Sequence, residues 1–147
     1  MQLEVSVCLP REAETVSLVR TVITNTLHLF GVEEECVEDI RLAVSEACTN
    51  VVSHAAGEDE YEVQVYVDAD RCTINVRDSG SGFDSAALTG QLPDPMSAGG
   101  RGAAIMAAVM DTVNFTSSAE EGTIVHLVRA LSAREDGPLA RLRSQPA

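Results

Sequence analysis

The residues best suited to chemistry form three short groups along the chain. The first is Glu46-x-x-x-Asn50, in a segment whose apolar residues recur at helical spacing. Residues four apart lie on one face of a helix, so both side chains can point at one site. A carboxylate there can accept a proton or order a water, and an amide oxygen is a ligand type that Mg²⁺ prefers. Taken alone, this spacing is common in helices and is compatible with an ordinary solvated pair.

The second group, Asp78-Ser79-Gly80-Ser81-Gly82, directly follows an apolar strand pattern. Glycines allow backbone conformations closed to other residues and a close approach to a ligand. A carboxylate at the end of a buried strand is costly unless it is paired, and an adenine amino group is a suitable donor for it. Taken alone, the group is also compatible with a tight turn after a strand.

The third group, Gly99-Gly100-Arg101-Gly102, opens a short helical pattern. Amide groups at a helix start bind anions, and a guanidinium fork suits phosphate oxygens. The group is not a Walker loop, because no Gly-Lys-Ser/Thr follows it. It is not a dinucleotide fingerprint either, because the third glycine and a parallel βαβ unit are missing. Taken alone, it is compatible with a flexible loop running into a helix.

Hydrophobic periodicity predicts the elements that must position these groups. Strands alternate with separately grouped helices, which predicts an α+β two-layer sandwich of a mixed, mainly antiparallel sheet with helices on one face. We expect one domain over 1–131, a mobile loop over 84–99 and a flexible tail over 132–147. The predicted elements are a strand over 3–9, helices over 12–30 and 33–56, a hairpin over 61–76, a helix over 101–110 and strands over 112–116 and 123–131.

The composition narrows the class of protein. Hydrophobic residues make up 45% of the 147 residues and aromatic residues 3%, so we expect one core built from Val, Leu, Ile and Ala. The net charge of −13 excludes direct binding to nucleic acid or anionic lipid and favours a partner with a basic surface, although it is equally compatible with a purely solubilising role. No apolar run approaches the roughly 18 residues that span a bilayer.

The cysteines and histidines do not form a recognisable metal-binding pattern. Free thiols in a core, without a signal peptide at the N-terminus, indicate a cytoplasmic protein. For His54, one turn after Asn50, capping or packing is favoured over catalysis, and Cys48 is expected to be a small buried residue. The four cysteines of the chain are Cys8, Cys36, Cys48 and Cys72, and its three histidines are His28, His54 and His126.

The order of the three groups, on a helix, a strand end and a helix start, resembles the N box, G1 box and G2 box of the GHKL (histidine-kinase-like) ATPases. The sequence is most similar to the anti-sigma factor serine kinases and their small stand-alone relatives. The resemblance covers nearly the whole chain, from Leu9-Pro10 to about Leu131. It depends on Arg41-Leu-Ala-Val-Ser-Glu-Ala-Cys-Thr-Asn50, Val76-Arg-Asp-Ser-Gly-Ser-Gly-Phe83, Gly100-Arg-Gly102 and Gly122-Thr123.

The resemblance implies the Bergerat ATP-binding fold, ATP and Mg²⁺ as ligands, and a role for each matching residue. Glu46 matches the catalytic carboxylate that activates a serine hydroxyl, and Asn50 matches the Mg²⁺ ligand. Asp78 matches the carboxylate that holds the adenine amino group. The remaining matches are Gly80 and Gly82, which shape the adenine pocket, Thr123, which supports adenine, and Gly100, Arg101 and Gly102, which face the phosphates.

The resemblance further implies an anti-sigma factor that sequesters a sigma factor and phosphorylates an antagonist protein of the STAS type. It also implies a possible homodimer. Two departures, Ala103-Ala104 after the last glycine and Pro93 and Pro95 in a short loop, keep a non-catalytic, ATP-dependent protein-binding switch open as the alternative. A sensor histidine kinase domain is disfavoured because this chain shows no phospho-accepting hairpin. An interaction domain without nucleotide would require the three groups to coincide by accident.

Overall fold

A computed structural model describes residues 2–54, 60–78, 101–118 and 122–144. The described elements follow the order predicted from periodicity, with one additional helix near the C-terminus. In chain order they are β1 (Gln2–Pro10), α1 (Ala13–Leu29), α2 (Glu34–His54), β2 (Glu60–Asp68), β3 (Arg71–Asp78), α3 (Arg101–Val109), β4 (Thr112–Ser118), β5 (Gly122–Ala130) and α4 (Pro138–Ser144).

The five strands form one sheet in the order β1-β2-β3-β5-β4, and every neighbouring pair is antiparallel. The predicted fold class is confirmed, although the described sheet is antiparallel throughout rather than mixed. Residues on β2 and β3 alternate strictly between buried and partly exposed positions, as expected for a sheet covered on one face. The buried face packs against the helices in a single core.

The core is built almost entirely from aliphatic side chains, as the composition predicts. The strands contribute Val63, Ile74 and Leu127, and the apolar stripe of α2 contributes Ile40 and Val44. Burying such a side chain stabilises the fold by about 1.5–3 kcal/mol relative to leaving it exposed. Helix α2 also packs against α1, α3, β3 and β5, so it is the central helix of the layer.

The segment after β5 differs from the predicted flexible tail. Ala133 forms an isolated antiparallel bridge with Val32, the Arg134 amide donates to Gly31 O at 2.7 Å, and the Leu139 side chain in α4 is fully buried. The Arg143 guanidinium donates to Leu131 O at 2.6 Å. Residues 132–139 therefore pack against the turn between α1 and α2, and Arg143 bonds back to the residue that follows β5.

A pair of glycines explains how this segment lies so close to that turn. Gly31 has φ +76°, the left-handed conformation that commonly ends a helix, so the predicted end of α1 is confirmed. A Cβ atom built on Gly31 would lie 2.8 Å from the Cα atom of Gly137. The two backbones therefore meet at a distance that only glycine permits.

In the part of the chain that the structure describes, no helix combines the length and the apolar character required to cross a membrane.

Candidate functional site

Three side chains lie in a row across the buried face at one end of the sheet. Asp78 ends β3, and its register partner is Tyr61 near the start of β2. On the other side β3 pairs with β5, and continuing the register of Arg77 with Ile124 by one residue places Thr123 opposite Asp78. Tyr61 and Asp78 are 0% exposed and Thr123 is 3% exposed. The fold therefore carries polar side chains into its interior at this end.

The chemistry of this row suits a ligand that offers hydrogen-bonding groups. Within the described residues, Thr123 Oγ1 is buried and has no hydrogen-bond partner. A buried hydroxyl without a partner costs free energy, and a fully buried carboxylate such as that of Asp78 costs more unless it is paired. A base with an exocyclic amino group supplies a donor for Asp78 and further groups for Thr123. The row therefore fits the adenine site that the sequence predicted.

Helix α2 brings the first predicted group to the same end of the sheet. Glu46 and Asn50 lie one turn apart, with Glu46 partly exposed and Asn50 9% exposed. The Arg11 guanidinium, just after β1, donates to the backbone oxygen of Val52 at 3.3 Å. Because β1 ends opposite Glu60 at the start of β2, this bond ties the last turns of α2 to the end of the sheet that carries Asp78.

The oxygen ligands here are compatible with magnesium held jointly by protein and phosphate. Among the described residues, no group of three or more His, Cys, Asp or Glu could hold a metal ion. Mg²⁺ is usually bound through one or two protein oxygens together with substrate phosphates. The amide oxygen of Asn50 is of the required type, and its role as the metal ligand stays a prediction.

Helix α3 presents the third predicted group. Arg101 is the first residue of the helix and is exposed, while Gly102 is partly buried. The buried side chain of Met106 joins the core, and α3 packs against α2. The helix start is therefore anchored beside the helix that carries Asn50, where its free amide groups and Arg101 can face phosphate.

Part of the predicted site lies outside the described residues. Gly80, Gly82 and Gly100 fall there, as does the predicted mobile loop over 84–99. Their proposed contacts with adenine and phosphate stay predictions.

The buried thiol of Cys48, on the helix that carries Asn50, is unreactive. Burial raises the pKa of the Cys48 thiol on α2 to about 12, so at neutral pH it stays protonated. A protonated thiol is a poor nucleophile and a poor metal ligand. The sequence-based prediction that Cys48 is a small buried residue is confirmed.

Sequence reasoning missed one pair of buried hydroxyl groups at this end. The Tyr61 hydroxyl lies 2.8 Å from Thr15 Oγ1, and both residues are buried. The alternating pattern of β2 indicated that Tyr61 faces the core, but nothing in the sequence pairs it with a residue 46 positions earlier. The only signal in the sequence was a polar aromatic residue at one inward position of a strand whose other inward positions are valines.

The match to a known family agrees with this geometry. Residues 9–129 match the model of the histidine kinase-like ATPase domain. The chain therefore belongs to the histidine kinase-like ATPase family, and the resemblance read from the three motifs is confirmed.

Within that family, the chain is similar to several curated serine-protein kinases RsbW. The RsbW of Bacillus pumilus is 34% identical over 137 residues, which cover 84% of this chain and 83% of the relative. The RsbW of Bacillus velezensis is 33% identical over 135 residues, with the same coverage of both chains. The chain thus aligns with most of the length of these kinases.

Two solved structures share the fold. The RsbU and RsbW domains of a Mycobacterium tuberculosis protein match with a TM-score of 0.69 and 19% identity, over 90% of this chain and 33% of that one. The chain spans about a third of that structure. The histidine kinase domain of a blue-light activated kinase from Erythrobacter litoralis matches with a TM-score of 0.54 and 17% identity, over 94% of this chain and 67% of that one.

Proposed function

We propose that this protein is a cytoplasmic, ATP-dependent serine protein kinase that acts as an anti-sigma factor. The observation that carries the proposal is the buried row of Asp78 and Thr123 beside the helix face of Glu46 and Asn50. The similarity to serine-protein kinases RsbW supports the same activity. The substrate would be a serine of an antagonist protein, and sequestration of a sigma factor would regulate transcription.

In this proposal, the protein holds ATP both at its adenine base and at its phosphates. The Asp78 carboxylate accepts a hydrogen bond from the adenine amino group, and the Thr123 hydroxyl bonds the same base. At the other end, Arg101 and the free amides at the start of α3 face the phosphates. Asn50 contributes its amide oxygen to Mg²⁺, which when bound neutralises charge on the phosphates.

The phosphoryl transfer step assigns the proton to Glu46. The serine oxygen of the antagonist forms a bond to the γ-phosphorus, the bond between that phosphorus and the β–γ bridging oxygen breaks, and ADP leaves with the bond's electron pair. Glu46 accepts the proton that the serine hydroxyl loses. Its position one turn before Asn50, and its partly exposed side chain, suit a base that must meet a protein substrate.

The net charge of −13 indicates the kind of surface that the partners would present. A strongly acidic protein attracts partners with basic patches and accelerates their encounter, most strongly at low ionic strength. We therefore expect binding of the partner to weaken as salt is added.

Transfer of labelled γ-phosphate tests the proposal. Wild-type protein with Mg²⁺ and ATP should label a STAS-type antagonist protein on serine, and Glu46→Gln should lower the rate by about 10²–10⁴-fold because a positioned base is lost. Glu35→Gln, in the exposed first turn of the same helix, is the matched control and should keep the wild-type rate. If Glu46→Gln transfers at the wild-type rate, Glu46 is not the base. If wild type transfers no phosphate although it binds ATP, the kinase assignment is wrong.

A further inference from the structure

Tyr61 is the bulkiest fully buried side chain in the described chain, and it stands directly beside Asp78. Side chains that face each other across two antiparallel strands have Cβ atoms about 4.5–5.5 Å apart. The aromatic ring of Tyr61 therefore lies next to the Asp78 side chain on the β2 side, while Thr123 lies on the β5 side.

The neighbours of Thr15 determine which hydroxyl is the donor in the hydrogen bond between Tyr61 and Thr15. Thr15 Oγ1 lies 2.7 Å from the backbone oxygen of Glu12 and 2.9 Å from that of Pro10, and both carbonyls can only accept. A threonine hydroxyl has one proton, so that proton goes to a carbonyl. Tyr61 must then donate to Thr15 across the 2.8 Å contact.

The protonation state of Tyr61 agrees with this donor role. Burial raises the pKa of the Tyr61 hydroxyl to about 12. At neutral pH the hydroxyl therefore keeps the proton that it donates.

This one hydrogen bond joins several elements at the end of the sheet that carries the site. Thr15 lies in the first turn of α1, and its carbonyl partner Pro10 ends β1. Tyr61 belongs to β2 and lies in the same hydrophobic core as Cys48 of α2. The bond fixes the end of the ring to the first turn of α1, at the level of Asp78.

We propose that Tyr61, held by Thr15, is a positioning residue that fixes the wall of the adenine site beside Asp78. The inference depends on the ATP site proposed above and deepens it. With the hydroxyl anchored, the ring cannot tilt, so the Asp78 carboxylate stays aimed at the base. Without the anchor, Asp78 samples a wider range of positions and part of the binding free energy is lost in ordering it.

Equilibrium titration with ATP and Mg²⁺, well below the melting temperature, tests this role. Tyr61→Phe keeps the ring and removes only the hydroxyl, and we expect a roughly three- to tenfold rise in the Kd for ATP, the range expected for one lost hydrogen bond. Thr15→Val should give a similar rise, while Thr15→Ser, which keeps the hydroxyl, should restore wild-type affinity. Tyr66→Phe is the matched control: it removes a hydroxyl from the opposite face of the same strand and should leave the Kd unchanged.

The double variant separates positioning from general stability. If Tyr61 and Thr15 act through one bond, Tyr61→Phe with Thr15→Val should bind ATP no more weakly than either single variant. A melting temperature that falls while the Kd stays at the wild-type value would overturn the positioning role and leave the proposed function standing, as would two independent, additive losses of affinity. Wild-type protein that binds no ATP would instead reject the proposed function, and this inference with it.

Discussion

The two ends of the sheet use their polar groups in opposite ways. At the end formed by the β2–β3 turn, Asp68 Oδ1 accepts hydrogen bonds from the Asp70 and Arg71 amides at 2.7 and 2.8 Å. Arg143 of α4 donates to Ala69 O at 2.6 Å in the same turn. These groups are bonded within the chain, so this end stabilises the fold.

The end that carries Asp78 is the one where we propose that the nucleotide binds. Thr123 Oγ1 is buried and, within the described ranges, has no hydrogen-bond partner, while the Asp78 carboxylate beside it is fully buried. A buried hydroxyl without a partner, such as that of Thr123, commonly marks a place where a ligand binds. In the proposed function, stability and nucleotide binding are separated along the strands, so substitutions at the two ends should affect different measurements.

The largest expected effect is on stability, at the end away from the site. Leu139→Ala empties a fully buried position of α4 and should lower the free energy of unfolding by about 2–5 kcal/mol. Urea unfolding followed by circular dichroism measures this. Leu29→Ala, at a side chain 77% exposed, is the control and should change stability by less than about 0.5 kcal/mol. A Leu139→Ala variant as stable as the control would show that α4 is not part of the core.

The next effect is on nucleotide affinity, at the site end. Asp78→Asn keeps the size of the side chain but replaces the charged acceptor, and we expect ATP to bind about 10- to 100-fold more weakly. Isothermal titration calorimetry measures the change. Asp70→Asn, in the exposed β2–β3 turn, carries the same substitution at the other end and should leave the affinity unchanged. Equal losses in both variants would remove the distinction between the two ends.

The smallest expected effect is a loss of stability at alkaline pH, and it should be similar at the two ends of the sheet. Burial raises the pKa of Cys48, in the site half, and of Cys72, opposite Val67 near the far turn, to about 12 from an ordinary value of 9.0. The unfolded thiols ionise above pH 9 while the folded ones stay neutral, so stability is complete below pH 9 and falls as pH rises towards 12. At pH 10 each thiol should account for a loss of roughly 1 kcal/mol.

Single substitutions test this alkaline sensitivity. Cys48→Ala and Cys72→Ala should each reduce the drop in unfolding free energy between pH 8 and pH 10 by a similar amount. Cys8→Ala is the comparison variant: Cys8 lies on the exposed face of β1, and the pKa of its thiol is raised less far, so its removal should reduce the drop by less than either buried thiol does. A drop that only one of the two buried thiols influences would mean that water reaches one end of the core and not the other.

Periodicity predicted most of the fold because each helix and strand buries one face, and this leaves a pattern of apolar residues within a short stretch of sequence. The helix predicted over 12–30 forms over Ala13–Leu29, and the one predicted over 33–56 is described over Glu34–His54. Docking of residues 132–144 was not predictable, because α4 has only seven residues and its position depends on the meeting of Gly31 with Gly137. Contacts between such distant positions leave no periodic trace in the sequence.

The candidate site was predicted by motif rather than by periodicity. The structure brings Asp78 and Thr123 together through strand register, and the bond from Arg11 to Val52 O ties the part of α2 that carries Asn50 to the same end. The roles of all the predicted site residues stay predictions: those of Asp78 and Thr123 in binding adenine, those of Glu46, Asn50, Arg101 and Gly102, and those of the glycines outside the described ranges. The bond between Tyr61 and Thr15 was missed because it joins residues 46 positions apart.

Thermal unfolding with nucleotides tests the central claim most directly. Purified protein is melted with ATP or GTP, each with and without Mg²⁺. Ligand at about 100 times its Kd adds roughly 2.7 kcal/mol, which for a chain of this size corresponds to about 5–11 °C. ATP with Mg²⁺ should raise the melting temperature by an amount in this range and GTP should not, because Asp78 selects the adenine amino group. No shift with millimolar ATP and Mg²⁺ would contradict this claim.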